Sequence, residues 1–274
     1  MASEWPQAAV VGWPAKHSLS PLIMKTWLDE TGQPGDYAII ECEPDAFESA
    51  ARARFNAGLV GVNVTVPHKE AALKLADAAS DAARAIGAAN VLVWREGRIE
   101  AENTDHVGIA RALESDSGSG PAVLIGAGGA ARAALYHLKG QDREVRILNR
   151  SRDRAEALAG EFGVSAQIQS LEDATAFDGA SLVINATSLG MSGQPPLEVD
   201  LSATSENALV FDMVYAPLRT GLLEQAERLG RRTADGLIML VGQARPAFEQ
   251  FFGAPAPQHD GVRHGLLAAL EQRA

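Results

Sequence analysis

Three stretches of this chain carry more polar side chains than a core strand tolerates, and they hold its candidate chemistry. They are Lys16-His17-Ser18-Leu19-Ser20-Pro21, Gly61-Val62-Asn63-Val64-Thr65-Val66-Pro67-His68-Lys69, and Asn90 together with Asn103-Thr104-Asp105. In the second, strand alternation puts Asn63 and Thr65 on one face, opposite Val62 and Val64. Lys69 follows the strand end, where open α/β sheets bind ligands. Reduction of a ketone by hydride leaves an alkoxide that must be protonated, and a lysine oriented by a carboxylate fills that role. Lys69 with Asp105 is the candidate pair. Asp105 and Ser20 also suit helix caps, a plainer role for either. The six histidines lack metal-ligand spacing, so no metal is expected.

A fourth stretch, residues 121–132, reads Pro-Ala-Val-Leu-Ile-Gly-Ala-Gly-Gly-Ala-Ala-Arg. Apolar Val123 to Ile125 meet a glycine cluster and then the alanine-rich run Ala130–Leu138, the pattern of strand, tight turn and helix. Gly126-x-Gly128-x-x-Ala131 fits the dinucleotide fingerprint, with a small third residue where helix packs on strand. Gly126 permits the turn, and Gly128 admits a pyrophosphate close to the backbone. Unpaired N–H groups at the helix start then hold the anion. The next strand, Glu144–Leu148, ends in Asn149-Arg150-Ser151-Arg152-Asp153-Arg154. NAD sites usually place an acidic residue near this point for the ribose 2′-hydroxyl. A guanidinium instead binds a 2′-phosphate through two parallel bonds, so NADP is the expected cofactor. A basic, solvated helix start is the plainer reading of the same arginines.

Composition sets the frame for these residues. The chain has 274 residues, enough for one large core or two modest ones. A formal net charge of −11 argues against a nucleic-acid surface, so the arginines after Asn149 are a local exception. The single cysteine, Cys42, excludes an internal disulfide and suits a reducing compartment; it reads as a core residue. Met1-Ala2-Ser3-Glu4 lacks the basic start of a signal peptide, and no apolar run reaches spanning length. A cytoplasmic protein without membrane partners is expected.

Strands and helices alternate along the whole sequence, which implies α/β architecture with mostly parallel sheets. Strands are expected at Ala8–Gly12, Tyr37–Cys42, Leu59–Val66, Val91–Trp94, Arg98–Ala101, Val123–Ile125, Glu144–Leu148, Leu182–Asn185 and Ala208–Phe211. A helix begins at Ser20-Pro21, with Ser20 as N-cap and Pro21 in the first position, and runs to about Glu30. Further helices are expected over Asp45–Asn56, from Pro67, at Ala82–Ala85, from Asp105 to about Glu114, and at Arg154–Phe162, Leu218–Leu229, Leu237–Phe252 and Gly261–Gln272. Pro246 would crowd the carbonyl of Gly242 and predicts a kink. The polar run Ser115–Gly120 separates the two halves.

Taken together, these motifs resemble the shikimate dehydrogenases. The matching pieces are Gly12-x-Pro14-x-x-His17-Ser18-Leu19-Ser20-Pro21, Asn63–Lys69, Gly87-Ala88-Ala89-Asn90, and Asn103-Thr104-Asp105-x-x-Gly108. Beyond them come Gly126–Arg132, Asn149-Arg150-Ser151, Ile184-Asn185-Ala186-Thr187-Ser188-x-Gly190-Met191, Asp212-x-x-Tyr215-x-Pro217, and Met239-Leu240-Val241-x-Gln243-Ala244. The resemblance spans nearly the whole chain in the family's order. It implies a two-domain α/β protein: an N-terminal α/β substrate domain, residues 1–108 completed by helices at 243–274, and a Rossmann-type doubly wound NADP-binding domain at 109–242. It implies reversible, NADP-dependent reduction of 3-dehydroshikimate to shikimate, a step toward chorismate and the aromatic amino acids, by a monomer or homodimer.

By the same resemblance Lys69 and Asp105 are the catalytic pair, and Ser18 and Ser20 hold the substrate carboxylate. Asn63, Thr65, Asn90, Thr104, Tyr215 and Gln243 surround the rest of the substrate. Cofactor contacts fall at Gly126, Ala127, Gly128, Gly129, Ala130, Asn149, Arg150, Ser151, Arg154, Thr187, Met213 and Gly236. Three positions depart from the family: Met24-Lys25 replaces a common His-Asn pair, Val91 a common threonine, and Gly221 a usual proline. A quinate or quinate/shikimate dehydrogenase is the nearest rival, though Ser20 and Arg150 point away from it. A catalytically silent NADP-binding regulator on the same fold would be expected to lose Lys69 or Asp105, and both are present.

Overall fold

The computed structural model describes residues 5–173, 175–259 and 261–272. Contacts divide the chain into two compact units, one running to Asp105 and resuming at Leu240–Glu271, the other His106–Met239. The first is built on β1 (Gln7–Gly12), α1 (Ser20–Thr31), β2 (Asp36–Glu41), α2 (Phe47–Asn56), β3 (Leu59–Val64), α3 (Lys69–Leu75), β4 (Ala78–Ala79), α4 (Asp81–Ile86), β5 (Val91–Arg95) and β6 (Arg98–Glu102). Its six strands lie in the order β2-β1-β3-β5-β6-β4, mixed because β5 runs antiparallel to both β3 and β6. The β5–β6 hairpin turns on Glu96 and Gly97, both at positive φ, which matches the strand twist.

On β3 the side chains separate by alternation. Val62 and Val64 join Ala9 and Val11 of β1 in a core closed by Phe47, Ala51 and Phe55 of α2. Gly61 lies on the opposite face, where a Cβ would stand 2.2 Å from the ring of Phe251, so only glycine fits. Asn63 shares that face, which leaves its amide among polar neighbours rather than in the apolar core.

The second unit follows α5 (Asp105–Ala112) with β7 (Ala122–Ile125), α6 (Gly129–Leu138), β8 (Val145–Leu148), α7 (Arg152–Phe162), β9 (Ala166–Gln169), β10 (Leu182–Asn185), β11 (Leu209–Asp212), α8 (Gly221–Arg228) and β12 (Arg232–Ala234). All six strands are parallel, in the order β9-β8-β7-β10-β11-β12. That is the doubly wound dinucleotide-binding order, with its reversal between β7 and β10. β7, β10 and β11 are buried along their whole length, as strands covered on both faces must be. The chain continues with α9 (Gly236–Phe252), and α10 (Gly261–Glu271) follows. Among the described residues, no helix is long and apolar enough to cross a membrane.

Several element ends differ from the sequence-based expectation. The β3 strand stops at Val64, not Val66. Thr65 N–H still reaches Val11 O at 2.9 Å, but pairing toward β5 ends with Val64 N–H on Asn90 O, and Pro67 brings no donor. Pro67 does not open the next helix, which starts at Lys69 with His68 in the cap position. Ser20 is not an N-cap: Leu19 takes that position, and the half-buried Ser18 hydroxyl accepts the Ser20 N–H at 3.2 Å. Helix α7 begins at Arg152 because the Ser151 hydroxyl accepts the Arg154 N–H, and α8 begins at Gly221 because Thr220 caps it. Helix α9 runs unbroken through Pro246. Buried Phe248, edge-on to Trp27 at 5.7 Å, supplies tertiary packing that offsets one missing hydrogen bond. Strands β4, β9 and β12 were not expected; they are short, and their side chains are mostly polar or part-exposed.

Candidate functional site

In the first unit the site is assembled from strand ends and helix starts. Lys69 opens α3, and its Nζ donates to Asp105 Oδ2 at 2.5 Å, with side chains only 12% and 4% exposed. Asp105 opens α5, where its N–H is accepted by Asn103 Oδ1 at 3.1 Å. Asn103 is in turn fixed by donation to Ala88 O at 2.9 Å. The carboxylate's second oxygen, Oδ1, accepts from Asn90 Nδ2 at 3.0 Å.

Asn90 is the hub of this cluster. Its Nδ2 faces three oxygens, Asp105 Oδ1, Thr104 Oγ1 at 3.0 Å and Gln243 Oε1 at 3.1 Å, while its Oδ1 accepts the Thr104 N–H at 2.6 Å. An amide nitrogen has two protons, so the three oxygens share them. The Thr104 hydroxyl adds a longer donation to Gln243 Oε1 at 3.4 Å. Gln243, from α9, is anchored by donation to Leu240 O. Sequence positions up to 153 apart thus converge on one amide.

Asn63 joins the cluster through Nδ2 to Asn90 O at 3.5 Å, and its Oδ1 accepts from the Tyr37 hydroxyl at 2.6 Å. Sequence reasoning read Tyr37 only as part of a strand. It is buried, which pushes its phenol well above the usual range, and a hydrogen bond with Ser20 opposes that rise. Ser20 and Asn63 therefore share one phenol. Thr65 is half-buried; its methyl occupies the space a Cβ on Gly12 would need, at 2.3 Å. Val91 is fully buried and pairs with Asn63 across β3 and β5. Tyr215 follows β11, in the second unit.

His68, beside Lys69, serves the backbone. Its Nε2 donates to Cys42 O at 2.8 Å, its ring stacks on Phe47 at 4.6 Å, and burial lowers its pKa against the opposing effect of that carbonyl. Cys42 is free and buried, its thiol pushed up by burial and by Glu43. Among the described residues, no group of His, Cys, Asp and Glu is placed to hold a metal ion.

In the second unit the site is built mainly of backbone. Gly126 has φ 111°, and a Cβ there would stand 2.9 Å from the Thr187 methyl and 3.2 Å from Ala186 O. Gly128, the N-cap of α6, has open space where a Cβ would lie, and no side chain caps this helix. With Ala127, Gly129 and Ala130 it presents unsatisfied N–H groups and the positive end of the helix dipole. After β8, Asn149 Nδ2 donates to Ser151 O, and the Ser151 hydroxyl is used in capping α7. Arg152 pairs with Glu156 at 2.6 Å, whereas Arg150 and Arg154 are exposed and form no ion pair among the described residues. Thr187 is held by Asn185, and Gly236 is required by packing, since a Cβ would stand 2.4 Å from Met213 O.

A parallel sheet with a glycine turn at its reversal, in a chain whose other unit bears a buried lysine–carboxylate pair, defines a class of two-unit α/β proteins with a dinucleotide-binding type of sheet. Comparison with known proteins narrows this. Residues 10–92 match the family described as shikimate dehydrogenase substrate binding domain, and residues 109–209 the family described as shikimate / quinate 5-dehydrogenase. The chain is 43% identical over 271 residues to the shikimate dehydrogenase (NADP(+)) of Paracoccus denitrificans, covering 96% of each. It is 46% identical over 275 residues to that of Afipia carboxidovorans, covering 97% of this chain and 98% of the relative. The crystal structure of shikimate 5-dehydrogenase from Thermus thermophilus in complex with NADP(H) and shikimate is similar at TM-score 0.84 and 34% identity, over 98% of this chain and 100% of that one. The chain belongs to the shikimate dehydrogenase family.

Proposed function

We infer that this chain catalyses the reversible, NADP-dependent reduction of 3-dehydroshikimate to shikimate, with Lys69 and Asp105 handling the proton. The observation that carries the assignment is the Lys69–Asp105 contact, held inside the Asn90–Thr104–Gln243 cluster, in a chain 43–46% identical to NADP-dependent shikimate dehydrogenases. Bound NADPH supplies the hydride. As negative charge develops on the substrate oxygen, Lys69 gives it a proton; in the oxidising direction Lys69 takes that proton back. Asp105 fixes the ammonium through Oδ2 and is itself fixed through Oδ1, so the donor is positioned before substrate arrives.

Ser18 and Ser20 are assigned to the substrate carboxylate, and Asn63, Thr65, Asn90, Thr104, Tyr215 and Gln243 to its oxygen substituents. The glycine turn Gly126–Ala130 is assigned to the pyrophosphate, with Thr187, Met213 and Gly236 lining the cofactor. Arg150 and Arg154 are assigned to the 2′-phosphate, with Asn149 and Ser151 beside Arg150. The uncapped α6 terminus, the open space at Gly128 and two guanidiniums outside any ion pair among the described residues fit a dinucleotide carrying that extra phosphate. Residues 1–108 with 243–274 form the substrate domain in this reading, and 109–242 the cofactor domain. A buried, unpaired Cys42 accords with a cytoplasmic enzyme.

Absorbance at 340 nm, with shikimate or quinate and with NADP or NAD, tests the assignment. Shikimate with NADP is expected to give the highest kcat/KM; a higher value for quinate with NAD overturns it.

A further inference from the structure

Asp212 closes β11 and is completely buried, yet no lysine, arginine or histidine pairs with it among the described residues. Burial raises its pKa, and hydrogen bonds from Thr220, Val214 and Asn185 oppose that rise. The carboxylate joins three separate segments. Its Oδ1 accepts from Asn185 Nδ2 at 2.9 Å and from Val214 N–H at 3.0 Å; its Oδ2 accepts from the Thr220 hydroxyl at 2.6 Å. Buried carboxylates are costly unless so bonded, so three ties from one side chain suggest that their geometry is the purpose.

One of these ties continues toward the glycine turn, and another toward Gly236. Asn185 Oδ1 accepts from both the N–H and the hydroxyl of Thr187, at 3.0 and 2.7 Å. The Thr187 methyl then stands where Gly126 has no room for a Cβ. Val214 follows Met213, whose carbonyl lies against Gly236. Asn185 and Asp212 end neighbouring strands and pair in register; Asn185 ends β10 at the reversal between β7 and β10, and Asp212 ends β11 one strand further out. Ligands of open α/β sheets bind at that reversal.

We propose that Asp212 is a positioning residue for the cofactor, fixing Thr187 through Asn185 and Met213 through Val214. This rests on the reading of the second unit as the NADP site. The test is NADP+ affinity without substrate, measured by titration calorimetry on the full chain, with a thermal melt alongside. Asp212→Ala is expected to raise the Kd for NADP+ about tenfold in the folded protein, equivalent to about 1.4 kcal/mol. Asp212→Asn can keep the Oδ1 acceptor and donate to the Thr220 oxygen, so it should stay within roughly threefold of wild type.

A merely structural role would lower the melting temperature without moving the Kd of folded protein. A folded Asp212→Ala with wild-type affinity overturns the proposal, as does Asp212→Asn impaired as deeply as Asp212→Ala. Should Asp212→Ala not fold, Asn185→Ala decides, because it cuts the same relay one residue further on: a comparable loss supports the proposal, and unchanged affinity overturns it. A wild-type chain that does not bind NADP+ would instead refute the cofactor reading itself.

Discussion

The lysine–carboxylate site and the glycine turn solve opposite problems. In the first unit nearly every polar atom is engaged by a neighbouring side chain: Lys69 by Asp105, Asp105 by Asn90, and Asn90 by Thr104 and Gln243. In the second, the proposed recognition elements are backbone N–H groups at an uncapped helix start and two guanidiniums outside any ion pair among the described residues. A proton must move between atoms fixed to a fraction of an ångström, so its donor is held by a network. A phosphate is held by charge and by several weak donors, and exposed arginines after a strand and at a helix start suffice. The difference predicts where each site breaks: the first through one atom, cooperatively, and the second in graded losses.

Lys69 is the strongest way to break the comparison. Lys69→Ala and Asp105→Asn should each lower kcat by roughly 10²–10⁴-fold, the range for general acid–base catalysis. Because the two act as a unit, the double variant should be little worse than the poorer single one. Cofactor titration should be unchanged in all three. Removing one member of a buried pair also destabilises, by about 3–5 kcal/mol where the remaining charge is unsatisfied, so melts belong beside the kinetics. Near-normal kcat in folded, cofactor-bound Lys69→Ala would assign the proton to another group.

Arg150→Ala should produce the graded loss. A charged hydrogen-bonded partner contributes about 1.5–3 kcal/mol, so NADP affinity should fall roughly 10- to 150-fold while NAD affinity stays put. An equal loss for both cofactors, read by titration, would place Arg150 on a part they share. A smaller effect sharpens the contrast at the helix entrances. Ser18→Ala should raise the shikimate KM, leave the NADP KM unchanged, and cost about 1 kcal/mol of stability, because Ser18 rather than Ser20 accepts a backbone N–H there. Ser151→Ala should cost a similar amount in a melt through loss of the α7 cap.

The smallest effect is a pH dependence. Burial depresses the His68 pKa below its ordinary value near 6.5. The unfolded chain therefore takes up the proton first, so this contribution is complete above about pH 6.5 and is lost as pH falls toward the folded value. Denaturant melts at about pH 7.5 and about pH 5.5 should show an acid-side loss that is reduced in His68→Gln. An identical loss in the variant would assign it to other groups, His137 among them, whose pKa is also lowered by burial.

Much of this was legible in the sequence because chemistry sits where patterns stop. Lys69 follows a β-branched run, Asp105 begins a helix after a hairpin, and Gly126 interrupts an apolar strand. What escaped reading was what the fold alone brings together. Tyr37 in an apolar strand looks like core, and only the β2-β1-β3 order carries its hydroxyl to Asn63. Gln243 has no local signal for contact with Asn90; the family resemblance alone singled it out. Ser20 looked like a cap because serine before proline usually is one, but the chain enters the helix a residue earlier. Strands β9 and β12 lie at sheet edges, where half-exposed polar side chains erase alternation.

The division of the chain also sets a timetable. The first unit is interrupted after Asp105 and resumes at Leu240, so its polar cluster is incomplete until Gln243 has been made. Thr104 and Gln243 are 139 positions apart, an interval of roughly 7–30 s at ordinary rates of synthesis. The main stretch of the second unit, His106–Met239, is made within that interval. On the ribosome the nascent chain thus completes its cofactor half before its catalytic half, and the Asn90 amide waits for its last partner until the closing helices leave the tunnel.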